Sequence, residues 1–424
     1  MYRYGSRRRR KVSATVIGMI ICAAVIVLIL LLFFGVFQPK TAEEPEASAL
    51  PVQTEQPEQS SLPAAASAPP KELSEMTAEE IWADDPREPK EVKGIFISDG
   101  TASRTDKMDD LIALCDRTEL NAMVINVKNE DGVLTFDMES DTAREIGAVS
   151  PYIEDIDAFL QKLHDHDIYC IARIVAFQDP LLAESKPEYS LKNEDGTVFR
   201  DKNGVAWVNP YNRELWDYLV EIGKNAAAAG FDEVQYDYIR FSTDRGMDHV
   251  DFGPEAQTTT KQEIIAEFVE YMYRALAPTG VFVAADVYGV ILCYASDGEL
   301  IGQEYQQMAK YLDYICPMNY PSHYDEGAYG LSNPDGAPYE LVYALMEDSA
   351  KELEELAAAG EHTAKVRAWL QDFTATWLDG YTEYGVEEIR AQIDAVYDAG
   401  YSEWFMWNAA SNYTKEAYLT EDVA

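Results

Sequence analysis

The sequence predicts an α/β protein of the (β/α)₈ or TIM-barrel class, preceded by a transmembrane helix and a disordered linker. Three observations predict it. From Val92 onward, short β-branched or aromatic runs alternate with longer amphipathic segments, the pattern of a parallel sheet with crossover helices. The alternation closes at eight strands over about 330 residues, a span that fits a barrel with some enlarged loops. The first strand leads into Asp99-Gly100-Thr101-Ala102-Ser103-Arg104, which is neither GxGxxG nor a P-loop, so a doubly wound nucleotide-binding sheet is disfavoured.

The amino terminus comes first in the chain. Arg7 to Lys11 form a basic cluster, and an uninterrupted apolar run follows over 12–37. About 20 apolar residues suffice to cross a bilayer, whereas a cleaved signal has a core of only about 7–15. The reading is a signal anchor, with residues 1–11 cytoplasmic by the positive-inside rule and the rest of the chain extracytoplasmic. A cleaved signal is the competing reading, and it places the main domain outside as well. Residues 38–90 are rich in Pro, Glu, Ala, Gln and Ser, a composition that cannot bury enough apolar surface to offset its ordering entropy. They read as an extended tether, with the barrel over 91–424.

Strands are expected at 94–98, 122–128, 168–176, 233–239, 281–287, 314–320, 365–371 and 403–407, and helices at 106–118, 153–165, 210–229, 261–276, 299–311, 341–359 and 386–399. Gly230, Gly360 and Gly400 end their helices and suit the left-handed position after the last turn. Pro210 suits a first helical turn. The long segment 177–209 holds two hairpin signals, Asn193-Glu194-Asp195-Gly196 and Asp201-Lys202-Asn203-Gly204. A loop of that length in a compact domain is usually functional.

In such a barrel chemistry sits at the carboxyl ends of the strands. Alternation in the fourth strand puts Gln235 and Asp237 on one face, with Arg240 close by. An acid facing the lumen is costly to bury without a purpose. Either it is catalytic or Arg240 holds it in a structural ion pair. Asp286 ends the neighbouring fifth strand. The two acids can face each other as glycoside hydrolysis requires, one as nucleophile or base and one as protonated acid. Asp286 could instead orient substrate or cap the next turn. Other strand ends offer Asp99, Asn126, Lys128, Arg173, Tyr288, Asn319, Tyr320, His323, Gln371, Trp407 and Asn408, and Trp207 lies just ahead of the fourth strand's helix. Aromatic faces stack on sugar rings, and amides and carboxylates bind hydroxyls, so this set reads as a carbohydrate-binding mouth.

Other classes fit less well. With 34 basic against 75 acidic residues the net charge is −41, which repels phosphate backbones, so nucleic acid is not an expected partner. The five cysteines show neither a CxxC nor a disulfide framework. The five histidines do not gather at strand ends, His164 and His166 falling at the opposite end of the barrel. Neither a metal nor another cofactor is expected, and GxSxG is absent.

The stretch Trp207-Val208-Asn209-Pro210, and then Ala229 to Phe241 with its core Gln235-Tyr236-Asp237-Tyr238-Ile239-Arg240, resembles a glycoside hydrolase family of bacterial barrels long catalogued as a domain of unknown function. Lys93-Gly94-Ile95-Phe96, Asn126-Val127-Lys128, Asp286-Val287-Tyr288-Gly289 and Met318-Asn319-Tyr320-Pro321-Ser322-His323-Tyr324 are similar to that family too. The resemblance implies a barrel distantly related to the α-amylase and α-galactosidase groups, whose nucleophilic Asp ends the fourth strand and corresponds to Asp237. Amylase-like barrels take the acid from the fifth strand, where Asp286 replaces their Glu. Galactosidase-like barrels take it from the sixth, where this chain has Asn319 and, further on, Asp325. The expected activity is hydrolysis of cell-envelope or extracellular polysaccharide by two carboxylates with retention. A non-catalytic carbohydrate-binding barrel and a metal-dependent deacetylase or amidase are the alternatives.

Overall fold

The computed structural model describes residues 76–83 and 85–419. Its centre is a closed parallel barrel of β1 (Lys93–Ile97), β2 (Ala122–Lys128), β3 (Tyr169–Val175), β4 (Glu233–Asp237), β5 (Phe282–Tyr288), β6 (Tyr314–Met318), β7 (Lys365–Val366 continued by Ala368–Gln371) and β8 (Trp404–Trp407). Each strand pairs with the next, and β8 returns to β1 with Trp404 opposite Lys93 and Met406 opposite Ile95. Parallel strands covered on both faces read as near-continuous apolar runs, and β2 and β3 are buried along their whole length.

Among the described residues, the helices that follow the strands around the barrel include α1 (Thr105–Cys115), α2 (Ile156–His164), α3 (Arg213–Ala229), α4 (Lys261–Leu276), α5 (Tyr305–Ala309), α6 (Pro338–Ala358) and α7 (Val386–Asp398). On α4, Ile264, Ile265, Phe268, Val269, Met272 and Leu276 are all buried, the one-sided stripe that seats a helix on a sheet. Its start is fixed by a capping box, Thr260 with Glu263. Gly230, Gly360 and Gly400 all have positive φ, as their place after a helix predicts.

Among the described residues there are two large apolar cores, besides a small cluster of Tyr324, Ala328, Leu341 and Leu345. One lies between strands and helices. The other fills the lumen with Phe96, Val124, Ile171, Cys316, Trp369 and Phe405. At the amino-terminal floor, Arg367 interrupts β7, binds Glu233 at 2.8 Å and Glu403 at 2.9 Å, and lies 3.5 Å from the Tyr314 ring centroid. A charge so placed is tolerated because it is paired and hydrogen-bonded.

The structure departs from the sequence expectations at four places. The expected tether 38–90 overlaps the described residues from 76, and there the chain is folded. Ala78–Ala83 is a helix, the Trp82 ring stacks on His362 at 4.0 Å, and Arg87 binds Asp313 at 2.7 Å. Composition hid this, because one Trp and one Arg carry the docking. Next, α3 starts at Arg213 with Asn212 as its cap, so Pro210 lies ahead of the helix, its carbonyl accepting from Trp216 Nε1 at 2.9 Å. The helix expected over 299–311 is two pieces, Ala295–Ile301 and α5, broken at Gly302 with φ +82°. Finally, segment 177–209 forms both expected hairpin turns, Gly196 N–H and Gly204 N–H closing on Asn193 and Asp201 carbonyls at 2.8 Å, yet it borders no part of the mouth pocket.

The expected cytoplasmic tail and membrane-spanning run, 1–11 and 12–37, lie outside the described residues. Among the described residues no helix is long and apolar enough to cross a membrane.

Candidate active site

The carboxyl ends of the strands surround a pocket of about 310 Å³. Asp237 ends β4, Tyr288 ends β5, Met318 ends β6, Trp407 ends β8, and Arg173 projects from β3; Glu130, Tyr238, Tyr320, His323 and Tyr324 complete the wall from the adjoining loops. A larger groove of about 830 Å³ runs along the outer flanks of α3 and α4, past Asp217, Lys224 and Arg274. It is an open surface furrow remote from the strand ends, so the mouth pocket is the candidate site.

Arg173 organises the acids. Its Nε donates to Asp237 Oδ2 at 3.0 Å, and its Nη2 donates to the same oxygen at 2.5 Å and to Glu130 Oε1 at 2.8 Å. Its Nη1 donates to Asn126 Oδ1 at 2.6 Å, and Asn126 in turn donates to Asp99 at 2.8 Å. The guanidinium also lies against Phe96 and Trp407, 5.5 and 5.4 Å from the ring centroids. Held at every face, it cannot turn away from Asp237. Burial works against the Arg173 charge, but Asp237, Glu130 and Asp286 outweigh it and raise the pKa further.

Asp237 Oδ1 accepts from the Tyr238 N–H at 2.6 Å. Tyr238 has φ +54°, a conformation costly for a bulky residue. Strain of this kind persists where surrounding packing over-determines it, and it clusters at functional sites. Here it aims the Tyr238 amide at the carboxylate.

Asp286 is only 2% exposed and lies inside the lumen beneath the pocket, where its Oδ1 accepts from Trp369 Nε1 at 2.6 Å. Burial, then the Asp237 charge, pushes its pKa well above the ordinary carboxylate range, against the pull of Arg173 and Trp369. Glu130 behaves oppositely. Burial acts to raise its pKa, but Arg173 and a backbone hydrogen bond prevail and hold it below the ordinary value. The two acids are therefore driven in opposite directions, Asp286 beneath the pocket toward its neutral form and Glu130 in the pocket wall toward its anion.

Of the residues singled out in the sequence, Asp237, Arg173, Tyr288, Tyr320, His323 and Trp407 meet at the pocket. Asp99 and Asn126 stand behind Arg173. Gln371 accepts from Ser322 Oγ at 2.8 Å and so fixes the loop that carries Tyr320 and His323, while Asn408 donates to the Asp372 carbonyl at 2.6 Å. Gln235 is sealed in the lumen, donating to Cys316 Sγ at 3.4 Å.

Four expected contact residues, Lys128, Arg240, Trp207 and Asn319, and the candidate acid Asp325 lie elsewhere. Lys128 is fully buried and pairs with Asp179 at 2.9 Å. The β2–β3 register slips between Asn126 and Lys128, and that irregularity rotates Lys128 off the lumen face that alternation gives it. Arg240 does not pair with Asp237. Its guanidinium lies 4.5 Å from the Tyr288 ring centroid and 5.1 Å from that of Trp207, and its Nη1 donates to the Phe241 carbonyl at 2.9 Å. Trp207 is consumed in this stack. Asn319 points outward, its Nδ2 3.6 Å from Met346 Sδ on α6. Asp325 is exposed and borders no part of the pocket.

Sequence reasoning missed Glu130, one residue past the Asn126-Val127-Lys128-Asn129 motif, and Tyr324, whose buried hydroxyl has no hydrogen-bond partner in the described structure. Glu130 carried a signal, being the first acid after a polar strand end, with Asp131 next to it. The Tyr324 hydroxyl left none. Among the described residues, the one group of three His, Cys, Asp or Glu side chains close enough to share an ion is His164, Cys170 and Asp232, at the amino-terminal end of the barrel.

A closed barrel with carboxylates and aromatic rings at its carboxyl-terminal mouth has the architecture of the glycoside hydrolases. The chain belongs to the family described as "putative glycosyl hydrolase domain", whose profile matches residues 94–413, and it is an enzyme of that class. Among solved structures, a hypothetical protein from Ruminiclostridium thermocellum ATCC 27405 is 36% identical over 46% of this chain and 97% of its own, with a TM-score of 0.43. The PgaB (BpsB) glycoside hydrolase domain from Bordetella bronchiseptica is 13% identical over 76% of this chain and 95% of its own, with a TM-score of 0.54, a likeness of fold. No curated protein matches the chain.

Proposed function

We propose that the protein cleaves glycosidic bonds in an oligo- or polysaccharide outside the cytoplasmic membrane, with Asp237 as nucleophile and Glu130 as acid and base. The observation that carries this reading is the single Arg173 nitrogen shared by two pocket-lining carboxylates. Bonds of 2.8 and 2.5 Å to one atom keep the nearest oxygens of Glu130 and Asp237 no farther apart than the roughly 5–5.5 Å of retaining enzymes. Arg173 on Oδ2 and the Tyr238 amide on Oδ1 fix the orientation of the Asp237 carboxyl that attack at an anomeric carbon needs.

Glu130 must hold a proton when it meets the leaving oxygen. In the open pocket Arg173 keeps it ionised, but a bound sugar removes water from it, and burial already acts to raise its pKa. Its proton passes to the departing oxygen as the Asp237–sugar bond forms. It then takes a proton from the water that breaks that bond. Asp286, buried beneath the pocket, has its pKa pushed up by burial and by Asp237, which disfavours a second charge there. Tyr320, Tyr288 and Trp407 offer apolar ring surface. The apolar run 12–37 supports an anchored, extracytoplasmic enzyme.

The test is release of reducing ends from a panel of purified glycans, with the first anomer formed followed by NMR. Retention is expected. Asp237→Asn should abolish turnover with the fold intact, and Glu130→Gln should lower kcat by about 10²–10⁴-fold. Full activity in Asp237→Asn, or wild-type turnover in Glu130→Gln alongside a large loss in Asp286→Asn, would overturn the assignment.

A further inference from the structure

Beyond the pocket, the loop that follows β7 carries a feature that closing a barrel does not require. Trp377 is 65% exposed, more than any other large hydrophobic residue described. One exposed ring is ordinary on a protein surface. This one ends a continuous series of rings that begins inside the pocket. Tyr320 and His323, both in the pocket wall, lie 6.0 and 6.4 Å from the Phe373 ring, and Phe373 stacks on Trp377 at 5.9 Å with 24° between the planes.

The loop is pinned. Gln371 Nε2 donates to the Phe373 carbonyl at 2.9 Å, the Thr382 N–H to Asp335 Oδ2 at 2.7 Å, the Tyr384 N–H to Thr374 Oγ1 at 3.0 Å and the Tyr384 hydroxyl to the Asp335 carbonyl at 3.1 Å. An indole held in water by a fixed loop has already met most of the ordering cost of binding.

We propose that Trp377 is the platform of a second sugar subsite outside the mouth pocket, so that the enzyme takes a glycan chain long enough to reach from Asp237 to this loop. The inference rests on the glycosidase reading and extends it to substrate length. The occupant is an uncharged glycan. A ring face offers stacking to any sugar and a charge partner to none. The nearby exposed carboxylates, Asp379 and Glu383, repel an anionic polymer, in keeping with the net charge of −41. A protein partner held by Trp377 is the rival occupant, and it has no reason to lie in line with the pocket.

The test uses the full-length chain carrying Asp237→Asn, so that bound polymer is not cut, with and without Trp377→Ala and Trp377→Phe. The probes are insoluble chitin, cellulose and starch, and the soluble disaccharides chitobiose, cellobiose and maltose. Trp377→Ala should weaken retention on the polymer that binds by about three- to tenfold, Trp377→Phe should restore most of it, and disaccharide affinity should not change. Equal retention with and without the indole overturns the subsite and leaves the pocket reading standing. An equal loss on disaccharide and polymer also overturns it, since the indole would then act through the pocket. Retention on no polymer, together with no hydrolysis of any glycan by the parent protein, removes both.

Discussion

Asp286 and Glu130 face the same guanidinium and the same Asp237, yet their proton affinities move in opposite directions. Burial explains the difference. Asp286 shares the lumen with Trp369 and Cys316 and gives up almost all hydration, whereas Glu130 keeps an open side and an Arg173 bond at 2.8 Å. Carboxyl pKa values driven apart by environment are a recurrent property of hydrolytic sites. The raised Asp286 pKa also has a stability consequence of definite sign. Between the ordinary carboxylate range near 4 and its folded value, the folded protein holds a proton that the unfolded chain has released. Stability therefore falls as pH rises through this window, by up to about 1.4 kcal/mol per pH unit. Asp286→Asn keeps the acceptor for Trp369 and removes the titration. Its melting temperature relative to the parent should climb as pH is raised from about 4, as scanning calorimetry would show. A constant difference across that range would mean that Asp286 is ionised in the fold.

At the scale of single elements, the ends of β2 and β5 show what a sequence can and cannot carry. Strand and helix periods were legible because each barrel strand is apolar on both faces and each helix on one, so all eight strands fall within two residues of expectation. Asp237 stood out for the same reason, since an acid inside such a run needs either a chemical role or a cation to hold it. Lys128 was not, because alternation assumes an unbroken ladder and the β2–β3 register shift leaves no mark in composition. Nor was the partner of Asp237: Arg240 is near in sequence, but the barrel brings Arg173 beside it from the neighbouring strand. At the end of β5, Gly289 has an ordinary φ of −59°, so it is required by space. A Cβ there would stand 2.5 Å from Asn319 Oδ1 and 2.6 Å from the Met318 carbonyl, and would also meet the Tyr324 hydroxyl. Gly289→Ala must therefore push the β6 loop, with Tyr320 and Tyr324, off the pocket wall. We expect about 1–3 kcal/mol of destabilisation and a raised KM, read by denaturant unfolding and steady-state kinetics. An unchanged KM would show that this wall does not touch substrate.

On the scale of the whole molecule the barrel divides its charges between two ends. The mouth keeps Asp237, Glu130 and Arg173 for chemistry. The floor uses Arg367 with Glu233 and Glu403, and Arg87 with Asp313, to close the lumen and anchor the entering chain. Arg87 is nearly buried and also donates to the Val281 carbonyl at 2.5 Å, just before β5. Burial pushes Asp313 above the ordinary carboxylate range, and Arg87 opposes it. Without that guanidinium the barrel would keep a buried carboxyl with no cation beside it, a loss that typically costs about 3–5 kcal/mol. Segment 76–90 accordingly belongs to the barrel's folding unit. A chain truncated to start at residue 91 should unfold at a markedly lower temperature than one starting at 76, and Arg87→Ala in the longer chain should reproduce most of the difference. Turnover at low temperature should change little in either, because the mouth lies at the other end of the strands. Coincident melting of the two truncations would show that segment 76–90 merely rests on the barrel floor.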